Sequence, residues 1–237
     1  MARFASTRWS LIARARADDA VAASEAFGAL FVAYRDPLYA FLRRSGASPE
    51  DALDRMQDLF AGMLARRDLE RVAPERGRFR DWLLAAARHT LSNARDKERA
   101  AKRGGGAVPL SLDARAVEDG YALDPGHDLT PEKLYLRRFA LATIAAALAA
   151  LRVECEQVGK LARFEALRPA LVGDLPEGGY QEIGASLGLG ENAAKQEGHR
   201  LRTRFRELVR AQVADTLDDD EPAAVEAELR SLLAEIS

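Results

Sequence analysis

Between Arg76 and Arg103 the chain carries Arg76, Arg78, Arg80, Arg88, Arg95, Lys97, Arg99, Lys102 and Arg103, opposed only by Asp81, Asp96 and Glu98. Cations at this density form a track for a polyanion, and their natural chemistry is phosphate binding with a steep salt dependence. His89, Ser92 and Asn93 sit within the same stretch, and such short polar groups are suited to reading a base edge. A second basic cluster holds Lys195, Arg200, Arg202, Arg204, Arg206 and Arg210. Covalent chemistry finds less support. His89, His127, His199 and Cys155 lack zinc-ligand spacing, so no metal is expected. Gly104-Gly105-Gly106 lacks the lysine and hydroxyl residue of a phosphate-binding loop. No nucleophile, base and pocket assemble from these motifs, so the sequence predicts neither an enzyme nor a cofactor.

The formal net charge of −2 argues against a nucleic-acid binder only until its distribution is considered. Base is concentrated in the two clusters, and acid in the tail from Asp215 to Glu235. Alanine, leucine and arginine outweigh valine and isoleucine, which is a helical composition. One cysteine excludes a disulfide framework and suits a reducing cytoplasm. Met1 to Ser10 has no apolar core, so no signal peptide is expected. The apolar stretch Leu141 to Leu151 is about half of a bilayer span and reads as a core helix, with no membrane insertion.

Helices must position the basic residues. Trp9, Ile12, Phe27, Leu30, Phe31, Tyr34, Leu38, Phe41 and Leu42 recur at three- and four-residue spacing, and Gly46 ends that run. Ser48-Pro49-Glu50-Asp51 supplies an N-cap, a first-turn proline and two acids at the positive helix end. The helix that follows places Leu53, Met56, Phe60 and Leu64 on one stripe. After Pro74 and Gly77 a further helix runs from about Asp81 to Lys102, with Trp82, Leu83, Ala86, Ala87 and Leu91 inward. The three glycines at 104 to 106 read as a hinge, and Thr130-Pro131-Glu132 as another helix start.

From Tyr180 to Leu208 a short helix with Ile183 and Leu187 inward leads through Gly188 and Gly190 to a second helix opening near Glu191. This is the layout of a helix-turn-helix, whose second helix enters the major groove. Lys195, Gln196 and His199 then face bases or phosphates, while Arg200, Arg204 and Arg206 hold phosphates. An ordinary helical hairpin with a solvated basic face has the same local pattern. Ala194 and Gly198 stand where larger apolar residues are usual, and a mid-helix glycine costs about 1 kcal/mol relative to alanine. A kinked second helix, or one ordered only on DNA or polymerase, is the expectation.

Residues 34 to 60 include YRDPLYAFLRR and DALDRMQDLF, and residues 79 to 99 read FRDWLLAAARHTLSNARDKER. With the distal helix-turn-helix, these resemble the extracytoplasmic-function (ECF) group of bacterial sigma factors. STRWSL near the start, RGRFR before the basic helix and KRGGG after it resemble an ECF-like subgroup. The resemblance implies an all-α protein that binds core RNA polymerase and promoter DNA in the bacterial cytoplasm. It places Asp54, Gln57, Asp58 and Phe60 on the polymerase clamp. It assigns recognition and melting of the minus-ten element to the segment holding Arg78, Arg80, Arg88, His89, Ser92, Asn93, Arg95, Arg99 and Lys102. Minus-thirty-five recognition falls to Lys195, Gln196, His199, Arg200 and Arg204. Phe60 and Trp82 also suit a core.

The expected organisation is a region 2-like domain over 1–103, a linker over 104–129, a region 4-like domain over 130–212 and an acidic extension over 213–237. A stand-alone helix-turn-helix regulator leaves Asp54, Gln57 and Asp58 unexplained. A protein-interaction module with degenerate DNA surfaces rests only on Ala194 and Gly198. Whether an anti-sigma factor, a regulatory kinase or the tail holds the protein inactive stays open. In the tail, Val225, Leu229, Leu232, Leu233 and Ile236 fall on one stripe. That stripe either covers the basic recognition helix in competition with DNA or packs on the distal domain.

Overall fold

The computed structural model describes residues 12, 15, 19–65, 78–98, 118, 120–122, 128–173, 175, 177–217 and 221–236, with the backbone alone at 20, 64, 65 and 93–98. The described residues form helices and no strand: α1 Ala20–Arg44, α2 Pro49–Ala65, α3 Phe79–Glu98, α4 Pro131–Gln157, α5 Leu161–Leu167, α6 Pro169–Val172, α7 Gly179–Ser186, α8 Glu191–Ala214 and α9 Pro222–Ala234. The all-α expectation holds. Residues divide into two compact units, Met1–Ala142 with Ala214–Ser237, and Thr143–Val213. These cuts fall elsewhere than the functional divisions read from the sequence: one lies inside α4, and the C-terminal extension groups with the first unit.

In the first unit α1, α2 and α3 pack on one another. The Asp19 carboxylate caps α1 by accepting hydrogen bonds from the backbone N–H of Val21 and Ala22, at 3.0 and 3.2 Å. Gly46 follows its last turn, as the sequence requires. Ser48 Oγ then accepts from the Asp51 backbone N–H at 3.1 Å, which starts α2 where the capping pattern placed it. Phe27, Leu30, Phe31, Tyr34 and Leu38 of α1 are buried. Phe60 of α2 meets Phe27 and Phe31 edge-on, with ring centroids 5.7 and 4.9 Å apart. The α2 stripe differs in part from expectation. Ala52, Met56, Leu59, Phe60 and Met63 are buried, whereas Leu53 is half-buried. Tyr34 joins α1 to its neighbours, edge-on to Phe79 of α3 and stacked on Phe139 of α4.

The stretch after α3 is pinned where it is described. Arg43 grips Glu118 with two parallel hydrogen bonds, Nη2 to Oε1 at 2.9 Å and Nε to Oε2 at 3.0 Å. The Tyr39 hydroxyl also donates to Glu118, and Arg138 Nη2 donates to the Gly120 carbonyl at 2.6 Å. Tyr121 lies under the Arg43 guanidinium, 5.2 Å from ring centroid to cation. The Arg43 guanidinium holds the Glu118 carboxyl below the usual carboxylate range, against the opposing effect of burial. Burial and the Glu118 charge push the Tyr39 phenol up. This part of the expected linker is therefore bound to α1.

The apolar run near Leu141 belongs to a helix of 27 residues, longer than the stretch noticed in the sequence. By length and composition α4 is long and apolar enough to cross a membrane. Part of its apolar surface is core: Leu134, Tyr135 and Phe139 are buried in the first unit, Leu151 and Cys155 in the second, whereas Leu141 and Val153 are exposed. In that second unit Phe164, Leu167, Ile183, Leu201, Leu208 and Val209 complete a small interior.

Candidate nucleic-acid interface

On α3, Leu83, Leu84 and Ala87 are buried, and Trp82 is half-buried with its ring stacked on Phe79 at 5.7 Å. The opposite face exposes Asp81, Ala85, Arg88, His89 and Ser92. Their spacing of four, three, one and three residues is one helical stripe. Arg88 shares an exposed ion pair with Glu132 at 2.9 Å, a contact of small value that a stronger anion displaces readily. The Glu132 carboxyl is held low by its own backbone N–H and, after an opposing effect of burial, by Arg88. The side chains of Asn93 and Arg95, and residues Arg99 and Lys102, lie outside the described residues.

Arg80 does not belong to this exposed stripe. It is only 4% exposed. Its guanidinium hydrogen-bonds the Glu228 carboxylate of α9 and lies 5.4 Å from the Phe139 ring centroid, while Tyr135 Oη donates to its backbone carbonyl at 2.9 Å. The expected phosphate contact is therefore corrected to an internal ion pair. Arg80 is the second residue of α3, where the helix still lies against α4, and its side chain turns inward. Arg78, just before α3, stays half-exposed and also reaches Glu228, Nη2 to Oε2 at 2.8 Å.

On α2, Asp54 and Asp58 are exposed and Gln57 is half-buried, together on the face away from Met56. Phe60 is fully buried between Phe27 and Phe31, which corrects its assignment to the polymerase surface: it is a core anchor.

In the second unit the first helix of the pair is α7 and the second is α8, separated by Leu187 to Gly190. Gly188 takes φ +65°, a left-handed conformation that suits glycine. The Leu189 backbone N–H donates to the Gly184 carbonyl at 2.8 Å, and this closes the turn. A Cβ on Gly184 would stand 2.8 Å from the Leu189 carbonyl oxygen. Gly198 has a similar logic. Its added Cβ would lie 2.9 Å from Cε1 of Tyr180, so the missing side chain is the space that the α7 ring occupies. Ala194 is fully buried. α8 is one continuous helix from Glu191 to Ala214, and its two small residues fit a close helix–helix approach.

The α8 face away from this contact exposes Asn192, Lys195, Gln196, His199, Thr203, Arg206 and Arg210 along one stripe. Lys195 makes an exposed pair with Glu191 at 2.7 Å. Arg204 is corrected. It forks onto Glu154 of α4 at 2.9 and 2.7 Å and holds Glu207 at 2.7 Å, and these carboxylates push its pKa up. That geometry ties α8 to α4 rather than reaching outward. Arg200 is exposed but lies 2.8 Å from the buried Glu197 carboxylate, which Lys160 and Arg163 also approach at 3.6 and 3.5 Å. Glu197, Glu228 and Glu118 escaped the sequence reading. Glu228 and Glu118 take their cationic partners from distant parts of the chain, and Glu197 takes two of its three, Lys160 and Arg163, from outside its own helix, so local spacing does not reveal these contacts.

Taken together, the first unit exposes Asp54 and Asp58 on α2, and Arg88, His89 and Ser92 on α3. Residues 30–101 match the family model described as Sigma-70 region 2. This stretch, which contains most of α1 and all of α2 and α3, is thus similar to sigma-70 region 2. No curated protein and no solved structure gives a match to the chain.

Proposed function

We propose that the protein is an ECF-like sigma factor of the bacterial cytoplasm, which docks on core RNA polymerase and directs it to promoters. The observation that carries the reading is the sigma-70 region 2 match over residues 30–101, in which Asp54 and Asp58 are exposed on α2 and Arg88, His89 and Ser92 on the neighbouring α3.

In this reading Asp54, Gln57 and Asp58 bind the polymerase clamp. Carboxylates and an amide on an otherwise rigid helix suit a polar interface whose orientation is set by charge. Arg78, Arg88, His89 and Ser92, with Asn93, Arg95, Arg99 and Lys102, serve the minus-ten element. Phosphate contacts position the displaced strand, and the short polar groups select bases. The second unit acts as the helix-turn-helix, with Lys195, Gln196 and His199 of α8 turned to the minus-thirty-five element and Arg200 and Arg206 beside the backbone. The region 2-like role belongs to 1–103, the linker to 104–129, the region 4-like role to 130–212 and the extension to 213–237.

Co-purification with core polymerase, followed by transcription from a mapped promoter library, tests the proposal. Core binding and promoter-dependent initiation are expected, and replacing both Asp54 and Asp58 with arginine should reduce core affinity at least tenfold, on the order of two lost interfacial charge pairs. Each site is exposed, so thermal unfolding should move by no more than about 0.5 kcal/mol per substitution. A protein that binds duplex DNA but never core polymerase is instead a stand-alone regulator.

A further inference from the structure

The C-terminal extension is the most acidic part of the chain: Asp215, Asp218, Asp219, Asp220, Glu221, Glu226, Glu228 and Glu235 face a single base, Arg230. Most acids in such a segment stay in water. Glu228 does not. It is 1% exposed, on the α9 stripe that also buries Val225 and Leu232. Residues 225, 228 and 232 are three and four apart, so the carboxylate occupies the middle of an otherwise apolar docking face. Leu233, expected on that face, is 45% exposed.

A carboxylate in that place is strongly unfavourable without cationic partners. Arg80 and Arg78 are those partners, and both flank the start of the basic helix α3. Their situations differ. Arg80 is enclosed by Glu228, Phe139 and Asp81, so it serves as the fixed anchor for the carboxylate. Arg78 is 42% exposed and reaches Glu228 from the solvent side. It is therefore a cation of the basic face whose charge the tail neutralises. A phosphate and the Glu228 carboxylate compete for the same guanidinium edge, and two anions do not share it.

We propose that α9 is a tethered competitor for promoter DNA, in which Glu228, anchored by Arg80, masks Arg78 at the entrance to the minus-ten surface. The proposal rests on the sigma-factor reading of α3 and adds its regulation. It moves the tail's target from the distal basic helix, where the sequence suggested it, to the first unit. Because the tail is part of the chain, its local concentration is fixed, and displacement requires an anion held at several contacts at once. A single strand laid along Arg78, Arg88 and the rest of the basic segment meets that condition, whereas isolated phosphate does not.

The test uses the full-length chain and a fluorescent single-stranded oligonucleotide of mixed sequence, because phosphate contacts are independent of sequence. Glu228→Gln keeps the side-chain shape and removes the charge. It should raise affinity roughly tenfold at low salt, the order of one charge-assisted hydrogen bond. The slope of log affinity against log salt should steepen by about 0.7, as expected for one phosphate contact regained on a single strand. Arg78→Ala in the Glu228→Gln background should abolish both gains. Hydrogen exchange on the wild-type protein gives an arm independent of any variant: amides of Pro222–Ala234 should lose protection when the oligonucleotide is added. Binding with unchanged α9 protection and no gain in Glu228→Gln overturns the tail proposal and leaves the sigma-factor reading intact. Failure of wild type and variant alike to bind at low salt overturns both.

Discussion

Alanine in place of a helical glycine ordinarily stabilises a protein, and Gly184 is where the opposite is expected. The ordinary gain is about 1 kcal/mol, from the lost flexibility of glycine and better helix propensity. Gly28 in α1 should show it, since a Cβ there meets nothing within 4 Å. At Gly184 the Cβ would lie 2.8 Å from the Leu189 carbonyl oxygen and 3.4 Å from the carbonyl group of Gly190, where ordinary contact begins only at 3.4 Å. The obstacle at 2.8 Å is backbone, and the same residue closes the turn through the Leu189 to Gly184 hydrogen bond. Relief requires the turn to open, at the 1–3 kcal/mol typical of overpacking plus about 1 kcal/mol for the weakened hydrogen bond. After the helix-propensity gain, a net destabilisation of about 1–3 kcal/mol remains. Native-state hydrogen exchange resolves the two units, so protection of α7 and α8 should fall in Gly184→Ala, while protection of α1 and α2 should rise in Gly28→Ala. Because the turn aims α8, Gly184→Ala should also weaken binding to promoter duplex. If Gly184→Ala stabilises α8 to the same degree as Gly28→Ala stabilises α1, the close turn is wrong.

Other expectations follow from the same geometry. Phe60→Ala removes a ring held between Phe27 and Phe31 and should destabilise the first unit by about 3–5 kcal/mol, measured by urea unfolding; a loss below 1 kcal/mol would return Phe60 to the surface. The Glu118 carboxyl is held low in the folded protein, so its contribution is complete above the unfolded carboxylate value near 4.3 and disappears as pH falls through the lower folded value. The stability difference between wild type and Glu118→Gln, about 2 kcal/mol at neutral pH, should therefore shrink on acidification; a difference that grows below pH 4 contradicts the Arg43 contact. Replacing Arg95 and Arg99 should weaken all promoters and flatten the salt dependence, whereas Asn93→Ala should shift preference among minus-ten sequences. An unaltered promoter profile removes Asn93 from the reading set.

The sequence alone determined what is local. Ser48 at the head of α2, the stop at Gly46 and Thr130 before α4 each act through backbone groups a few residues away, so spacing reveals them. The exposure of Asp54 and Asp58 opposite Met56 follows from helical period for the same reason. Tertiary structure decided the matters that depend on distant partners. Arg80 read as one more cation of a basic run, yet Glu228, 148 residues away, draws it inward. Arg204 is likewise taken by Glu154, 50 residues earlier. Gly198 read as a flaw because the ring that fills its space belongs to Tyr180 on another helix. Helical periodicity reports which face of an element is apolar, but a buried charge or a missing side chain is favourable only through what the fold sets opposite it. Glu228 shows the limit most clearly: the carboxylate is an ordinary tail acid in the sequence, and two arginines from the start of α3 make it part of the interior.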